Sequence, residues 1–421
     1  MIRSVSWQVT KATLDISQAN TGELPFAGPA INIYGSDTYH MATMIGTYDY
    51  YLHTGDKLFL SGIWSKYLSA MSFITAKIDS TGLLDVTGTN DWGRLSQGGH
   101  NTEANMLMYH TLLTGSTLAT WMDNSPLASN WTSLAARLKS AVNSPGLNWD
   151  ASVGSVSNLY ITVQLLTRSS AFKDSDTDAS IHPEDGNSMA LVFDVANSSY
   201  VQSISKQLTT NWGPIGAICP ELPGNLVGFT QSFEIKGHLA ARQATRALDL
   251  MRLAWGWYLN NPYGTNSTCI EGYLSDGSFG YRATTGYDND YSYTSHAHGW
   301  STGPTDALTS YVVGLQLTGP GGSTWTLQPQ FGDLTHAEGG FTTPLGTFSA
   351  SWTLIDGGYT LSWGFPAGTS GTAILPAAPG REPSVEMDGN SRAMMAGQYN
   401  ASTGIFTIKG QSGSHIVKVI Y

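Results

Sequence analysis

The spacing of apolar residues predicts that the first three quarters of the chain are helical. From about residue 37, apolar residues recur every three or four positions, and segments with this spacing come in pairs separated by short polar breaks. The predicted pairs are 38–53 with 56–77, 100–115 with 128–143, 186–196 with 199–211, and the two halves of 230–260; one further helix is predicted at 303–316. Helical hairpins in series form either a solenoid or a closed toroid. The long aromatic loops, which lack a fixed repeat period, favour the toroid.

The pattern changes after residue 318 to an alternation of apolar and polar residues, which is typical of strands. The predicted strands, separated by turns at GG, AGTSG and SG, are 325–331, 346–365, 371–377, 404–410 and 415–421. The sequence therefore predicts an all-α toroid of helical hairpins in residues 1–318, followed by an all-β sandwich in residues 319–421.

One segment, residues 155–169 (SVSNLYITVQLLTRS), interrupts a natural turn between two predicted helices. It is poor in charge, rich in β-formers and has no partner strand nearby. Two interpretations remain open: an intron read through in frame, or a genuine strand-like insertion.

The charge of the chain limits its partners. Twenty basic residues against 31 acidic ones give a net charge of −11, and charged residues make up only 12% of the chain. A nucleic acid or an anionic membrane would need a basic patch, so neither is expected as a partner. No apolar run reaches membrane-spanning length.

The remaining composition is typical of a secreted protein. Four Asn-x-Ser/Thr sequons occur, at Asn130, Asn197, Asn266 and Asn400. The first residues, MIRSVSWQVTKATL, lack the apolar core of a signal peptide. We therefore expect an extracellular location for a longer form, with the beginning absent from this chain. The two cysteines, Cys219 and Cys269, form either one disulfide or two buried thiols.

Candidate chemistry is concentrated in residues 262–300, which contain Glu271, two histidines at 296 and 298, and many Tyr, Phe and Trp residues separated by Gly and Ser. Aromatic faces beside a carboxylate suit a sugar, whose ring stacks through C–H groups and whose hydroxyls form hydrogen bonds. The alternative is a surface loop rich in Tyr and Gly, with packing roles for both histidines.

Two further segments carry candidate residues. In TGTNDWGR (87–94), Asp91 and Trp92 offer a carboxylate and a stacking face, although Asn90-Asp91 could equally form a turn. After this segment, Asn101 or Thr102 is a candidate N-cap with Glu103 as a dipole partner. In HPEDGN (182–187), Asp185 is either an N-cap or a cleft residue.

Metal and cofactor chemistry is not expected. His296, His298, Asp288 and Asp290 lack the spacing of a dedicated zinc site. The sequence also has neither a phosphate-binding loop nor a dinucleotide fingerprint. We therefore predict no metal and no cofactor.

The motifs DWGR, STCIEGYLSDGSFGYR and TSHAHGWSTGP, followed by WTLQPQFGDLTHAEGGFTTPLGTFSASW, together resemble the α-L-rhamnosidases of glycoside hydrolase family 78, in the subgroup common in filamentous fungi. The resemblance covers nearly the whole chain. It implies an (α/α)6 toroid with a C-terminal β-sandwich, and hydrolysis of terminal α-L-rhamnose with inversion by two carboxylic residues.

Carried over by motif, the resemblance implies that Glu271 is the general base and that Asp91, Trp92 and His298 bind rhamnose. Asp185, Tyr273 and Trp300 are added as residues that line the site. The implied partner is a rhamnose-containing glycoside or polysaccharide. The sequence leaves the aglycone and the oligomeric state open.

The chain departs from the family pattern at its start. The family's acidic motif, an Arg-Asp-rich stretch followed by Trp-x-Gly-Asp, contains the general acid, and residues 1–37 hold no such stretch. About nine predicted helices also fall short of the twelve of a closed toroid. We therefore expect a chain truncated at its N-terminus, without the general acid. Two alternatives remain: another α/α-toroid glycosidase, or a catalytically inactive carbohydrate-binding protein.

Overall fold

The computed structural model describes residues 17–28, 31–145, 148–150, 170–391 and 397–421. The described chain divides into two compact units. The helical unit contains the described residues up to Tyr48, Leu58–Ala241 and Asp249–Gly303, and the sheet unit contains Asp49–Lys57, Arg242–Leu248 and Pro304–Tyr421. The segment 155–169 lies outside the described residues, and a domain boundary at residue 318 stays a prediction.

The predicted helical segments are confirmed, with shifted ends. The helices are α1 (Asp37–Thr54), α2 (Lys57–Thr75), α3 (Thr102–Trp121), α4 (Ser125–Val142), α5 (Glu184–Val192), α6 (Val201–Leu208), α7 (Gly228–Ala240), α8 (Ala244–Met251) and α9 (Gly303–Ala307). The predicted break within 230–260 falls between α7 and α8. None of the described helices is both long and apolar enough to cross a membrane.

Helix α3 is buried along most of its length. The Asn101 side chain accepts a hydrogen bond from Ala104 N at 3.1 Å, which confirms Asn101 as an N-cap. Gly115 allows α2 to pack closely, because a Cβ there would lie 2.5 Å from Met71 Cε. This close packing makes α3 a central element of the helical unit.

Two helices continue as π-helix, which the apolar spacing did not predict. Helix α8 passes through a π segment, Arg252–Gly256, before a last helical turn, Trp257–Leu259. The segment predicted as one helix at 303–316 is α9 followed by a π segment, Leu308–Val313. Gly314, with φ 91°, ends it in the left-handed conformation that favours glycine.

Short strand pairs connect the helices of the helical unit. They are β1 (Trp149–Asp150) with β2 (Ala171–Phe172), β3 (Trp212–Gly213) with β4 (Gly216–Ala217), and β5 (Asn225–Val227) with β6 (Gly272–Leu274). In the last pair, Val227 lies opposite Gly272. This register places Glu271, which precedes β6, beside the start of α7.

The described strands of the sheet unit belong to one sheet of nine strands. They are β7 (Leu315–Leu317), β8 (Thr324–Leu327), β9 (His336–Thr343), β10 (Gly346–Ile355), β11 (Gly358–Pro376), β12 (Ser384–Met387), β13 (Asn390–Ser391), β14 (Gly397–Asn400) and β15 (Ile405–Ile420). The order β13-β12-β15-β11-β10-β9 is antiparallel, β14 pairs with β15, and β8 joins β11 in parallel. The all-β character is confirmed, and a two-layer sandwich stays a prediction.

Two predicted turns are wrong. The AGTSG sequence lies within β11, and the SG sequence lies within β15. These two long strands pair with each other, with a register shift only between Phe365 and Ser370. The glycines therefore produce an irregularity in the ladder without ending either strand. The described cysteines are free thiols, so the disulfide alternative is excluded.

Candidate functional site

Glu271 is held in place by two donors to its carboxylate. The Tyr287 hydroxyl donates to Oε1 at 2.9 Å, and the Ser295 N–H donates to Oε2 at 3.1 Å. The backbone of Glu271 is also fixed, because its N–H donates to the Ser295 carbonyl at 2.8 Å and its carbonyl accepts from Gly228 N at 3.2 Å. Each carboxylate oxygen keeps a second lone pair that a water molecule or a hydroxyl could use.

Two further tyrosine rings pack against Tyr287, the residue whose hydroxyl contacts the Glu271 carboxylate. The Tyr281 ring meets the Tyr287 ring nearly edge to face at 5.9 Å, and the Tyr293 ring lies 5.7 Å from it. Tyr293 is 66% exposed, and the Arg282 guanidinium lies over the Tyr287 ring at 5.0 Å. The Tyr287 ring is therefore packed on several sides, which fixes its hydroxyl.

A second aromatic group reaches from the interior to the surface. Phe229, at the start of α7, lies 6.3 Å from the buried Trp92 ring and 6.1 Å from the Trp300 ring. Trp300 is 56% exposed, so its face is available to a ligand. Phe229 and Tyr287 pack against the same buried cluster, which contains Trp92 and Tyr281. Both aromatic groups therefore belong to one region of the helical unit.

Asp91 is held by donors on both of its oxygens. Oδ1 accepts from the Thr38 hydroxyl at 2.9 Å and from the Trp92 N–H at 2.8 Å, and Oδ2 accepts from Gln97 Nε2. Burial nevertheless raises the pKa of Asp91, although Glu103, Arg94 and these donors oppose it. The carboxylate is a fixed, partly buried acceptor.

Tyr39 and Tyr287 pack against one buried cluster that contains Trp92 and Tyr281. The Tyr281 hydroxyl donates to the Trp92 carbonyl at 3.2 Å, which joins the loop of Asp91 to the segment of Glu271. Burial raises the pKa of the Tyr39 phenol, and the negative charges of Asp91, Glu103 and Glu271 raise it further. The structure thus brings Asp91, Trp92, Glu271 and Trp300 into one region.

The two predicted histidines have different surroundings. The pKa of His298 is lowered by burial, while Glu271 acts to raise it, so a neutral imidazole lies near this carboxylate. His296 contacts the Tyr258 hydroxyl through Nδ1 at 2.9 Å. His298 joins the region of Glu271, as its position in the motif implies.

Tyr273 lies outside this region. It is 3% exposed, its ring stacks on Trp257 at 4.5 Å, and its hydroxyl donates to the Ile215 carbonyl at 2.7 Å. Because β6 alternates its side chains, Tyr273 points into a separate cluster that contains Tyr258 and Ile270. The structure thus gives Tyr273 a packing role.

Asp185 is neither an N-cap nor an exposed cleft residue. Pro183 occupies the N-cap position of α5, and Asp185 lies fully buried in the first turn. Its Oδ2 accepts from Arg94 Nε at 2.9 Å and from Trp92 Nε1 at 3.2 Å. Asp185 therefore supports the Trp92 ring from within the core. The predicted N-cap is wrong, and a cleft position is not observed.

Arg94 is the centre of a buried ion cluster. Its guanidinium contacts the carboxylates of Glu103 at 3.5 Å, Asp185 at 2.9 Å and Asp174. Burial raises the pKa of Asp174 to about 6, even though Arg94 lowers it. One guanidinium thus faces three buried carboxyl groups, more than a single positive charge could neutralise if all three were ionised.

One group of buried side chains has the composition of a metal site. Ligand atoms of Glu184, Cys219 and Glu221 lie within 4.8 Å of one another. Hydrogen bonds already engage these atoms: the two Glu221 oxygens accept from Glu184 N and Asp185 N at 2.9 Å, and Cys219 Sγ donates to Glu184 Oε2 at 2.9 Å. Glu221 therefore caps α5, and the absence of a metal stays a prediction.

Sequence reasoning missed several residues of the region, namely Thr38, Tyr39, Gln97, Glu103 as a buried acid, Phe229, Arg282, Tyr287 and Ser295. Arg282, Tyr287 and Ser295 lie inside the segment singled out for its aromatic content. The others come from helices or loops distant in sequence, where no local signal marks them.

Family models match most of the described chain. Residues 7–211 match the six-hairpin glycosidase domain of bacterial α-L-rhamnosidases, and residues 314–389 match the C-terminal domain of bacterial α-L-rhamnosidases. Comparison with curated proteins found no match. The chain therefore has a six-hairpin glycosidase domain and a β-rich C-terminal domain of the α-L-rhamnosidase type.

Solved structures agree on the fold. The α-L-rhamnosidase of Dictyoglumus thermophilum has a TM-score of 0.68 at 16% identity, and the match covers 100% of this chain and 46% of that one. The Streptomyces avermitilis α-L-rhamnosidase complexed with L-rhamnose has a TM-score of 0.67 at 14% identity, covering 98% and 36%. The native enzyme of Aspergillus terreus has a TM-score of 0.66 at 17% identity, covering 98% and 43%. This chain spans less than half the length of each.

Proposed function

We propose that the chain acts on terminal α-L-rhamnose, with Glu271 as the base that activates water. The observation that carries the proposal is the fixed carboxylate of Glu271 within an aromatic region of the helical unit, in a chain whose residues 7–211 match a six-hairpin glycosidase domain. Rhamnose offers an uncharged ring with a methyl group and several hydroxyls. Trp300 supplies an exposed ring face for such a sugar, and Asp91 supplies a fixed acceptor.

The proposed reaction is hydrolysis with inversion. An inverting glycosidase uses a carboxylate to remove a proton from water as the water attacks the anomeric carbon, while a carboxylic acid protonates the leaving oxygen. The free lone pairs of Glu271 suit the first role, and the neutral His298 nearby suits a hydrogen bond to a sugar hydroxyl. No residue of this chain is assigned as the acid.

Several finer properties belong to the same proposal: an (α/α)6 arrangement of the hairpins, membership of the fungal subgroup, and an extracellular location. They are supported by the helix pairs, by the motifs around Asp91 and Glu271, and by the composition.

A second candidate function is binding of rhamnose without hydrolysis. It is favoured by the absence of the acidic motif from residues 1–37. Another glycosidase specificity on the same fold is less favoured, because the loop of Asp91 and the segment of Glu271 meet in one buried cluster.

The test is hydrolysis of an aryl α-L-rhamnoside by the chain and by Glu271→Gln. We expect the substitution to reduce the rate by about 10²–10⁴-fold, because the amide cannot accept the proton of water. Binding of L-rhamnose, measured by calorimetry, should persist in both proteins. Binding without hydrolysis in the parent chain would establish the second candidate, and neither activity would refute both.

A further inference from the structure

We infer that Asp91 and Glu103 share a single proton, and that the protonated Glu103 is the positioning residue that holds Asp91 toward a bound sugar. The role of Asp91 in ligand binding rests on the proposed function. The proton itself follows from the arrangement of donors, charges and burial, independently of any activity.

The first observation is that Gln97 joins the two carboxyl groups. Its Nε2 contacts Asp91 Oδ2 and lies 3.4 Å from Glu103 Oε2. Both carboxyl groups therefore lie within reach of one amide nitrogen. Two ionised carboxylates this close would repel each other in a buried space, and one proton between them removes that repulsion.

The second observation is that Asp91 and Glu103 differ in the hydrogen-bond donors that contact them. Asp91 accepts from the Thr38 hydroxyl, the Trp92 N–H and the Gln97 amide, all of which favour its ionised form. The contacts of Glu103 Oε2 are longer, 3.4 Å to Gln97 and 3.5 Å to Arg94. The proton therefore belongs on Glu103.

The third observation is the balance of charge. Arg94 is shared by Glu103, Asp174 and Asp185, and the last of these forms the shorter contact with Arg94 Nε. Glu103 is fully buried in the first turn of α3. The helix dipole there favours an anion by about 1 kcal/mol or less, whereas burying an unpaired charge costs several times more.

The groups that face the pair from every side agree with this assignment. Burial raises the pKa of Glu103 well above its usual range, the negative charges of Asp91 and Asp185 raise it further, and Arg94 opposes them. Tyr39 faces both carboxyl groups, and its own pKa is raised. The remaining neighbours, Thr38 and Gln97, do not titrate.

Loss of the proton at alkaline pH has a functional consequence. Two negative charges would then repel each other in a buried space that holds one shared guanidinium, and this repulsion would displace the Asp91 carboxylate. Ligand binding should weaken by about tenfold per pH unit above the pKa of the pair, if only the protonated pair binds.

The experiment compares the parent chain with Glu103→Gln and Glu103→Ala. Calorimetry with L-rhamnose is run from about pH 5 to about pH 9. In Glu103→Gln the amide donates to Asp91 without titrating. We therefore expect binding within about threefold of the parent at neutral pH, and no alkaline loss. In Glu103→Ala we expect binding to weaken by about tenfold or more at every pH, because Asp91 loses its partner.

An infrared measurement tests for the proton on Glu103 without a ligand. The infrared carbonyl band of protonated carboxylic acids should decrease at neutral pH in Glu103→Gln relative to the parent. It should be unchanged in the control Glu338→Gln, whose side chain is 78% exposed. An unchanged band in Glu103→Gln would overturn the inference.

Further outcomes separate the inference from the proposed function. An alkaline loss of binding that persists in Glu103→Gln would overturn the inference. The inference would also be overturned if a folded Glu103→Gln protein bound L-rhamnose as weakly as Glu103→Ala. If the parent binds no L-rhamnose at any pH, the proposed function fails and the infrared result alone decides the proton. Should Glu103→Gln not fold, Asp91→Asn serves instead: it frees Glu103 from the shared proton and shifts the same band.

Discussion

The Tyr287 hydroxyl donates a hydrogen bond to Glu271 Oε1 across 2.9 Å, and the Arg282 guanidinium lies over the same tyrosine ring. The orientation of the proposed base therefore depends on a residue 16 positions further along the chain, held by stacking. Ser295, which donates to Oε2, completes the support.

Tyr287→Phe should reduce hydrolysis of an aryl α-L-rhamnoside by about 10- to 100-fold, since a hydrogen bond to a charged group contributes about 1.5–3 kcal/mol. The loss should appear mainly in kcat, because the phenylalanine ring retains the packing. Tyr263→Phe is the matched control, since Tyr263 is 86% exposed and should tolerate the change. Equal losses in the two variants would contradict a positioning role for Tyr287.

The rate should depend strongly on the leaving group, because no residue of this chain is assigned as the proton donor. We expect hydrolysis of α-L-rhamnosyl fluoride, which leaves without protonation. A rhamnosyl disaccharide should react slower by a further factor of about 10²–10⁴, the usual contribution of a general acid. Steady-state rates on both substrates, with Glu271→Gln as the control, provide the measurement. Comparable rates would show that the chain contains an acid.

Arg94→Met should lower the free energy of unfolding by about 3–5 kcal/mol, because Asp174, Asp185 and the Glu103 carboxyl group lose their shared buried cation. Urea denaturation followed by tryptophan fluorescence measures the change. Arg252→Met is the matched control. Arg252 contacts Asp249 at 3.0 Å with half of each side chain exposed, so about 0.5 kcal/mol or less is expected. Similar effects at both positions would argue against a buried ion cluster.

His100 should make stability depend on pH. Burial lowers its pKa, but hydrogen bonds to Asp176 at 2.8 Å and Asp79 at 3.2 Å outweigh this, and the pKa is raised above 6.5. The protonated form therefore favours the folded state. The contribution of protonated His100 to the free energy of unfolding is complete below the pKa of the unfolded state, about 6.5. It is lost as the pH rises through the pKa of the folded state. The difference between urea midpoints at about pH 6 and about pH 8 should be smaller in His100→Gln than in the parent, where the buried carboxyl groups with raised pKa values contribute the rest. An equal difference in the two proteins would assign all of it to those other groups.

Local patterns predicted the helices because their apolar spacing is regular, and Asn101 was recognisable as a cap. They did not predict β9, because its sequence HAEGGFTT contains two glycines and little β-propensity. That strand forms through its partner: Gly340 lies so close to β10 that a Cβ would stand 2.1 Å from the Phe348 carbonyl. Long-range pairing of this kind leaves no local signal.

The candidate site shows the same contrast between residues marked by a local signal and residues that only long-range contacts bring together. Glu271 was singled out by the unusual composition of its segment, whereas Asp91 and Trp92 were assigned by resemblance to a family; their roles in a site stay predictions. Tyr39 was read as part of a helix, and Asp185 as a cap or cleft residue, because the sequence does not reveal which residue lies across the core. The contact between Asp185 and Arg94 joins residues 91 positions apart.

The buried position of Arg94 also bears on how the helical unit forms. Its three carboxylate partners come from α3, from the segment after β2, and from α5. Removing the guanidinium from water with only some of these partners in place would be costly, so partly assembled states should be scarce. We therefore expect these segments to open together in native-state hydrogen exchange, as one cooperative unit whose protection is lost in a single step.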